Sequence, residues 1–484
     1  MARLILLAFF AVGSVFDLYN LFYIFKFVHW GEMYVHYIGS KYYKELGYSN
    51  LYNATVVADA EGKNLIPDHQ RLTDLNTYRY VRKKDVLRDK EKYKAPFSRR
   101  RWEEFKSDTL FFQKSVNPVC FGTILLDHGY HVPPTWNATS HIISSLTPVK
   151  YVWLLPRLDL IILAVMFWFI YTTLGVEMML VTLIFFSLNF LSSFYWIGGS
   201  LLRYDWFVCS VIALCMIYKN RYRAAGAWLS YAVMVRVFPI FFALGLFVKA
   251  VFEFIKRGRI PKRYLDFFGV FLAGCLILFF YGFINSRGID SWAELARKLK
   301  LHNENVFTNS VAAKMLFIRD NTSWKTPLAF HKAYGNTEIE PFELFIDAVK
   351  AAFHRHRHMF LLFAVCSMIL FSIMAVRVSD AKAFGWGTFL LFALTCPTNY
   401  YYIFLMLLVI NFYEDRINLI NTANIALLFL LQITGYIVDN RMGHFYLGIH
   451  YTLSVFILFY FVYLAIAESI HLRIPPRSEP DRKF

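Results

Sequence analysis

Apolar residues in this 484-residue chain come in blocks, and short basic turns separate most of them. The first block runs from Leu4 to Val28. Others lie near 151–173, 177–197, 201–218, 224–238, 240–255, 264–284, 359–377, 384–396, 400–413, 419–438 and 445–467. About twenty apolar residues in helical form span a ~30 Å hydrocarbon core. The pattern predicts an all-α polytopic membrane protein of about twelve transmembrane helices. It divides into a first span, 1–28; a polar loop, 29–150; helices two to seven, 151–284; a second polar loop, 285–358; helices eight to twelve, 359–467; and a tail, 468–484. The stretch 224–255 is too short for two full spans, so it reads as a hairpin of two short helices broken at Pro239.

Charge orients this picture. Lys219, Arg221 and Arg223, then Lys256 to Arg263, then Arg377 and Lys382 fall in alternate turns. Lys and Arg accumulate on the cytoplasmic side of short loops, so both termini are predicted to be cytoplasmic. The two long loops then face outward, because long loops cross largely regardless of charge. The pentapeptide "HRHRH", His354 to His358, runs against the bias at the outer end of helix eight. A cleaved signal peptide is the rival account of residues 1–28, but the apolar run outlasts the usual ~7–15-residue core.

The composition agrees: 57% of residues are hydrophobic and 19% aromatic. The net charge of +17 would suit nucleic acid, but it is spread over membrane-flanking turns and no nucleic-acid motif accompanies it. The six cysteines show neither CxxC nor zinc spacing and read as packing residues. Sequons at Asn53, Asn137 and Asn321 fall in predicted outer loops.

Several charged residues stand where they are costly. Asp17 interrupts the first span. Glu32 and His36, in "HWGEMYVHYIGSKYY", are four apart and share a helix face just after that span. Tyr34, Tyr37, Tyr42 and Tyr43 around them suggest an interfacial helix lying flat at the headgroups. A partly desolvated carboxylate there suits a general base, and a solvated pair beside an aromatic belt is the plainer account. Arg236 falls at the tip of the short hairpin, where a guanidinium can grip a phosphate or simply snorkel. Arg203 and Asp205, in "GGSLLRYDWF", lie at the outer end of another helix, and Arg157 and Asp159 in "PRLD" read as structural. Asp127 and His128, in "DHGY", form a second acid/base pair, or a capped turn before Gly129.

Four stretches resemble one family. "LGYSNLY" (46–52), "NRYRAAGAWLSYAVMVRVFPIFF" (220–242), "HNENVFTNSVAAKMLF" (302–317) and "LTCPTNYYYIFLMLLVI" (394–410) are similar, in order and spacing, to segments of GT-C superfamily glycosyltransferases. The pattern resembles glycosyltransferase family 87, whose members use polyprenyl-phosphate sugars. This resemblance implies that Glu32 is the general base, where the family more often has Asp, and that Arg236 stands where it often has Lys. It implies donor-phosphate binding by Arg236, His302 and Arg203. Asn303, Asn305, Asn309, Tyr400 and Tyr401 become candidates for sugar or acceptor contacts, with His36, Asp127 and His128 as further catalytic candidates. A polyprenyl-phosphate-linked sugar would be the donor and a glycan, lipid or protein the acceptor. No cofactor or divalent metal is required, and no nucleic acid is a partner. The implied location is a bacterial inner membrane. The competing reading is a non-catalytic subunit or assembly factor of a membrane complex that keeps the fold. A transporter is disfavoured by unequal loops and the lack of an internal repeat.

Overall fold

The computed structural model describes residues 2–18, 27–192, 194–307, 309–318, 341–414, 419–442 and 446–471. The side chain of Asp17, the sequon at Asn321 and the tail beyond 471 lie outside them. Among the described residues, five helices are long and apolar enough to cross a membrane: Val149–Leu174, Lys262–Tyr281, Ile346–Arg377, Leu419–Asp439 and Gly448–Ser469. Their outward residues, including Trp168, Ile277, Leu362 and Phe459, are strongly exposed, as befits a surface that faces lipid. This is the pattern of a multi-pass membrane-embedded protein.

Shorter apolar helices accompany them. Arg3–Val15, Val176–Ser187, Asp205–Tyr218 and Asn399–Phe412 fall below the length of a full span. Asp205–Tyr218 is buried on almost every side, so neighbouring protein surrounds it in place of lipid. Close approach uses small residues. A Cβ on Gly226 would strike the Phe267 carbonyl of the neighbouring helix, Lys262–Tyr281, and one on Gly274 would strike Ser230.

Residues 29–150 form a folded layer over one end of this bundle. It contains the helices Leu51–Ala60, Arg99–Ser115 and Pro134–Leu146. It also contains the one two-stranded sheet among the described residues, Arg71–Asp74 antiparallel to Arg79–Arg82. The expectation of an all-α chain is corrected to that extent.

Three further expectations change. The segment after the first helix does not lie at a lipid surface: Tyr34, Tyr37, Tyr42 and Tyr43 are fully buried under the 29–150 layer. Arg99–Ser115 supplies the cover, with Phe112 against Tyr34 and Tyr37 and Phe105 against Tyr42. The helix expected to begin at 359 instead runs Pro341–Arg377, so "HRHRH" lies within it. The sequons at Asn53 and Asn137 are buried; Asn137 accepts from the Tyr130 hydroxyl at 2.7 Å and donates to the Asn285 carbonyl at 3.1 Å.

Candidate functional site

The site forms where the folded layer meets the bundle. The chain enters it through a clasp: the His29 amide donates to the Gly199 carbonyl at 2.8 Å. Gly199 has φ +77°, and a Cβ there would strike the Phe27 ring, so this turn needs glycine. His29 then caps the helix Trp30–Met33 by accepting from the Glu32 amide at 3.2 Å. The helix continues through a π turn, Tyr34–Ile38, which carries His36.

Glu32, His36 and Arg203 form one unit. Arg203 Nη1 lies 3.3 Å from a Glu32 carboxylate oxygen and 2.9 Å from His36 Nε2. A guanidinium only donates, so His36 Nε2 must accept. Its proton therefore sits on Nδ1, which donates to the Glu32 carbonyl at 2.7 Å. Burial, and then the field of Arg203, push His36 down to about 3, which keeps it neutral. His36 thus orients Glu32 and Arg203 and has no free lone pair for proton transfer. For Glu32, burial raises the carboxyl, but Arg203, His36 and His29 together hold it below the ordinary carboxylate value. It is a half-buried carboxylate, ionised at neutral pH.

Arg203 is itself held firmly. Its amide donates to Asp159 at 2.8 Å, its Nε to the Ile197 carbonyl at 3.1 Å, and its carbonyl accepts from the Trp206 indole at 2.8 Å. Asp159 is thus a backbone anchor. Asp205 does not pair with Arg203; it accepts from the Trp206 amide and the Tyr231 hydroxyl.

Arg236 follows the helix Tyr222–Val235, in extended backbone before Pro239 and the next helix, Ile240–Arg257. It is 7% exposed, and its Nε has no hydrogen-bond partner. No carboxylate among the described residues lies within ion-pair distance of it.

The opposite wall comes from both polar regions. Asp127 and His128 precede Gly129, with 3.7 Å between the carboxylate and His128 Nδ1. Burial raises Asp127, and His128 and His131 more than offset it, so the carboxyl stays well below its usual range. His302, near the end of the helix Ile289–Glu304, stacks on His131 at 5.2 Å and carries a buried Nδ1 without a partner. Burial, and after it the fields of His128 and Lys298, lowers His302 to about 3. A short backbone clip joins two of the sequence stretches: the Asn399 amide donates to the Asn309 carbonyl at 2.8 Å and the Val311 amide to the Pro397 carbonyl at 3.0 Å.

Glu32, His36, Asp127, His128, Arg203, Arg236, His302, Asn309 and Tyr400 all line one open cavity of about 530 Å³. Asn303, Asn305 and Tyr401 do not. Asn303 lines a different cavity, Asn305 is turned back to the Leu301 carbonyl at 2.6 Å, and Tyr401 is packed between Trp206 and Phe238. Sequence reasoning missed His29, His131, Thr398 and Asn399, which also line the cavity. The spacing of "DHGYH" was the available signal for His131, three residues after His128. A second cavity of about 510 Å³, mostly apolar, adjoins the first and shares His29, Glu32, Val35 and Asp127 with it. Among the described residues, no group of three or more His, Cys, Asp or Glu side chains is placed to hold a metal ion.

No protein-family model, curated protein or solved structure matches this chain.

Proposed function

We propose that this chain is a membrane glycosyltransferase that moves a sugar from a polyprenyl phosphate to a hydroxyl acceptor at the outer face of a bacterial inner membrane. The reading carries with it a GT-C-like arrangement of about twelve spans, counting the short interior helices, with both termini cytoplasmic. One observation supports it above the others: Glu32 and the ion-pair-free Arg236, from separate parts of the sequence, line a single open cavity.

The chemistry divides among the residues present. A sugar phosphate needs a cation and donors for the departing phosphate, and Arg236 is an unneutralised guanidinium at the cavity wall. His302, Asn309 and Tyr400 add polar groups beside it. Arg203 is committed to Glu32 and His36, so its task is to aim the base and not to hold the phosphate. Glu32 accepts the acceptor's hydroxyl proton as that oxygen bonds to the anomeric carbon. The bond from the anomeric carbon to phosphate oxygen breaks, its electron pair leaves with the polyprenyl phosphate, and the configuration inverts. The open cavity around an ionised Glu32 also weighs against a non-catalytic subunit, in which side chains would be expected to close the site.

The test is Glu32→Gln. Loss of the base should lower transfer by about 10²–10⁴-fold while binding of a polyprenyl-phosphate sugar is retained. Near-normal turnover in that variant would remove the reading.

A further inference from the structure

The "HRHRH" stretch has no part in the cavity around Glu32, yet the fold gives it surroundings of its own. It lies on the helix Pro341–Arg377, just before the apolar stretch that begins near Met359. Lys350, Phe353, His354, Arg357 and Leu361 recur at helical spacing and line one side of a cavity of about 450 Å³. The other side is formed by Asn303, Glu304, Lys314 and Leu394.

Lys314 is the buried member. It is 6% exposed, donates to the Asn303 carbonyl at 2.8 Å and sits 4.4 Å from the Phe353 ring centroid. Lys314, Lys350 and Arg357 are three basic side chains, and Glu304 is the one carboxylate in the lining. None of the three cations has an ion pair among the described residues. Below them the lining turns apolar at Phe360 and Leu361, and the same helix then exposes Leu362, Val365 and Ile369. Cations above an apolar floor, at the end of a membrane-length helix, match a phosphate headgroup above its acyl chains. On the orientation that the sequence predicts, this cluster also runs against the positive-inside bias, which leaves it without a topological purpose.

We propose that this cavity is a binding site for the phosphate headgroup of an anionic phospholipid, separate from the cavity of Glu32 and Arg236. Lys350 and Arg357 make the charge contacts, Lys314 supplies the buried positive field, and Phe360 and Leu361 receive the upper acyl chain. Free phosphate shares the headgroup's chemistry but gains nothing from the apolar floor. The site stands on its own residues and does not depend on the sugar-transfer reading. The two sites are nevertheless close in the chain, because His302 lines one cavity and Asn303 and Glu304 line the other.

The experiment uses the full chain in nanodiscs of mixed phosphatidylglycerol and phosphatidylcholine, with co-purified lipid quantified after detergent extraction. Wild type should enrich phosphatidylglycerol roughly tenfold, as expected for two or more lysines or arginines near a membrane surface. The double variant Lys350→Gln/Arg357→Gln should bring enrichment close to that of the bulk mixture. Both substituted side chains lie on the partly exposed face of the helix, so the fold should tolerate them. Arg236→Gln should leave the enrichment intact. Unchanged enrichment in the double variant, or its loss in Arg236→Gln alone, would overturn the assignment. Inorganic phosphate competing at millimolar concentration would also overturn it, because the site would then be for a free anion.

Discussion

At the scale of single residues, the candidate site is decided by which charges are already satisfied. Arg203 and Arg236 look equivalent in sequence, as lone arginines at helix ends. The fold makes them different, because Arg203 bridges Glu32 and His36 while Arg236 has no acid within ion-pair reach among the described residues. No local pattern shows this distinction, since the partners of Arg203 lie far away in the sequence. The difference has a signed consequence. Glu32 has an ordinary value of 4.5, burial pushes it up, and Arg203 is the largest influence pulling it down. A base works only when ionised, so the acid limb of the wild-type rate profile should lie below pH 4.5. Arg203→Gln removes the main opposing charge and lets burial prevail, so the limb should move above pH 4.5. Arg203→Lys keeps the charge but loses the fork to His36, so it should lower kcat with the limb little moved. The stability of the ionised pair has the same sign: it is present above 4.5 and lost as pH falls through the lowered folded value. An identical pH–rate profile for Arg203→Gln and wild type would mean that Arg203 does not set the basicity of Glu32.

At the scale of elements, helix breaks were more legible than helix environments. The hairpin at Pro239 could be read directly, because proline cannot continue a helix: the structure ends one helix at Val235 and restarts at Ile240. The surroundings of Tyr34, Tyr37, Tyr42 and Tyr43 could not be read in this way, since aromatic residues suit a headgroup region and a protein core equally. The same ambiguity bears on the shorter apolar helices, whose neighbours decide whether lipid or protein surrounds them. A helix shielded by other helices, such as Asp205–Tyr218, needs no membrane length of its own. What joins these short elements is visible away from the site, about 14 Å along the helix Ile240–Arg257 from its start, at Lys249. There Asp380 accepts from the hydroxyls of Tyr222 at 2.6 Å and Tyr264 at 2.9 Å. It also lies 3.0 Å from Lys249 Nζ and 3.1 Å from Arg263 Nε. One carboxylate therefore ties its own helix to three others. Asp380→Asn should destabilise the protein by about 3 kcal/mol, because it leaves the largely buried Lys249 with the Val378 carbonyl but no counter-charge. Arg263 is half exposed and contributes little. A melting temperature in detergent that matches wild type would show that apolar packing alone holds these helices.

At the scale of the whole molecule, the convergence of 29, 32, 35–36, 80, 126–129, 131, 203, 236, 302, 307, 309 and 398–400 on one cavity could not be derived from hydropathy, which locates segments but not their neighbours. The structure shows the contacts that join these stretches: the His29–Gly199 clasp, the Arg203 bridge and the Asn309–Asn399 clip. The lysine and arginine bias predicts which membrane face the cavity meets, and the cysteines allow that to be tested. Cys209 and Cys215 are buried and Cys275 and Cys396 partly so, which leaves Cys120 and Cys366 exposed. Cys366 lies in the membrane-length helix Ile346–Arg377, where lipid shields it from an ionic reagent. Cys120 lies in the folded layer beside the cavity that adjoins Glu32. A membrane-impermeant maleimide should therefore label wild-type protein in intact spheroplasts, and Cys120→Ser should lose the label. Labelling that requires permeabilised membranes would put Glu32 on the cytoplasmic side. A nucleotide-linked sugar would then be the more accessible donor, and an outward-facing transfer from a lipid carrier would have no face on which to occur.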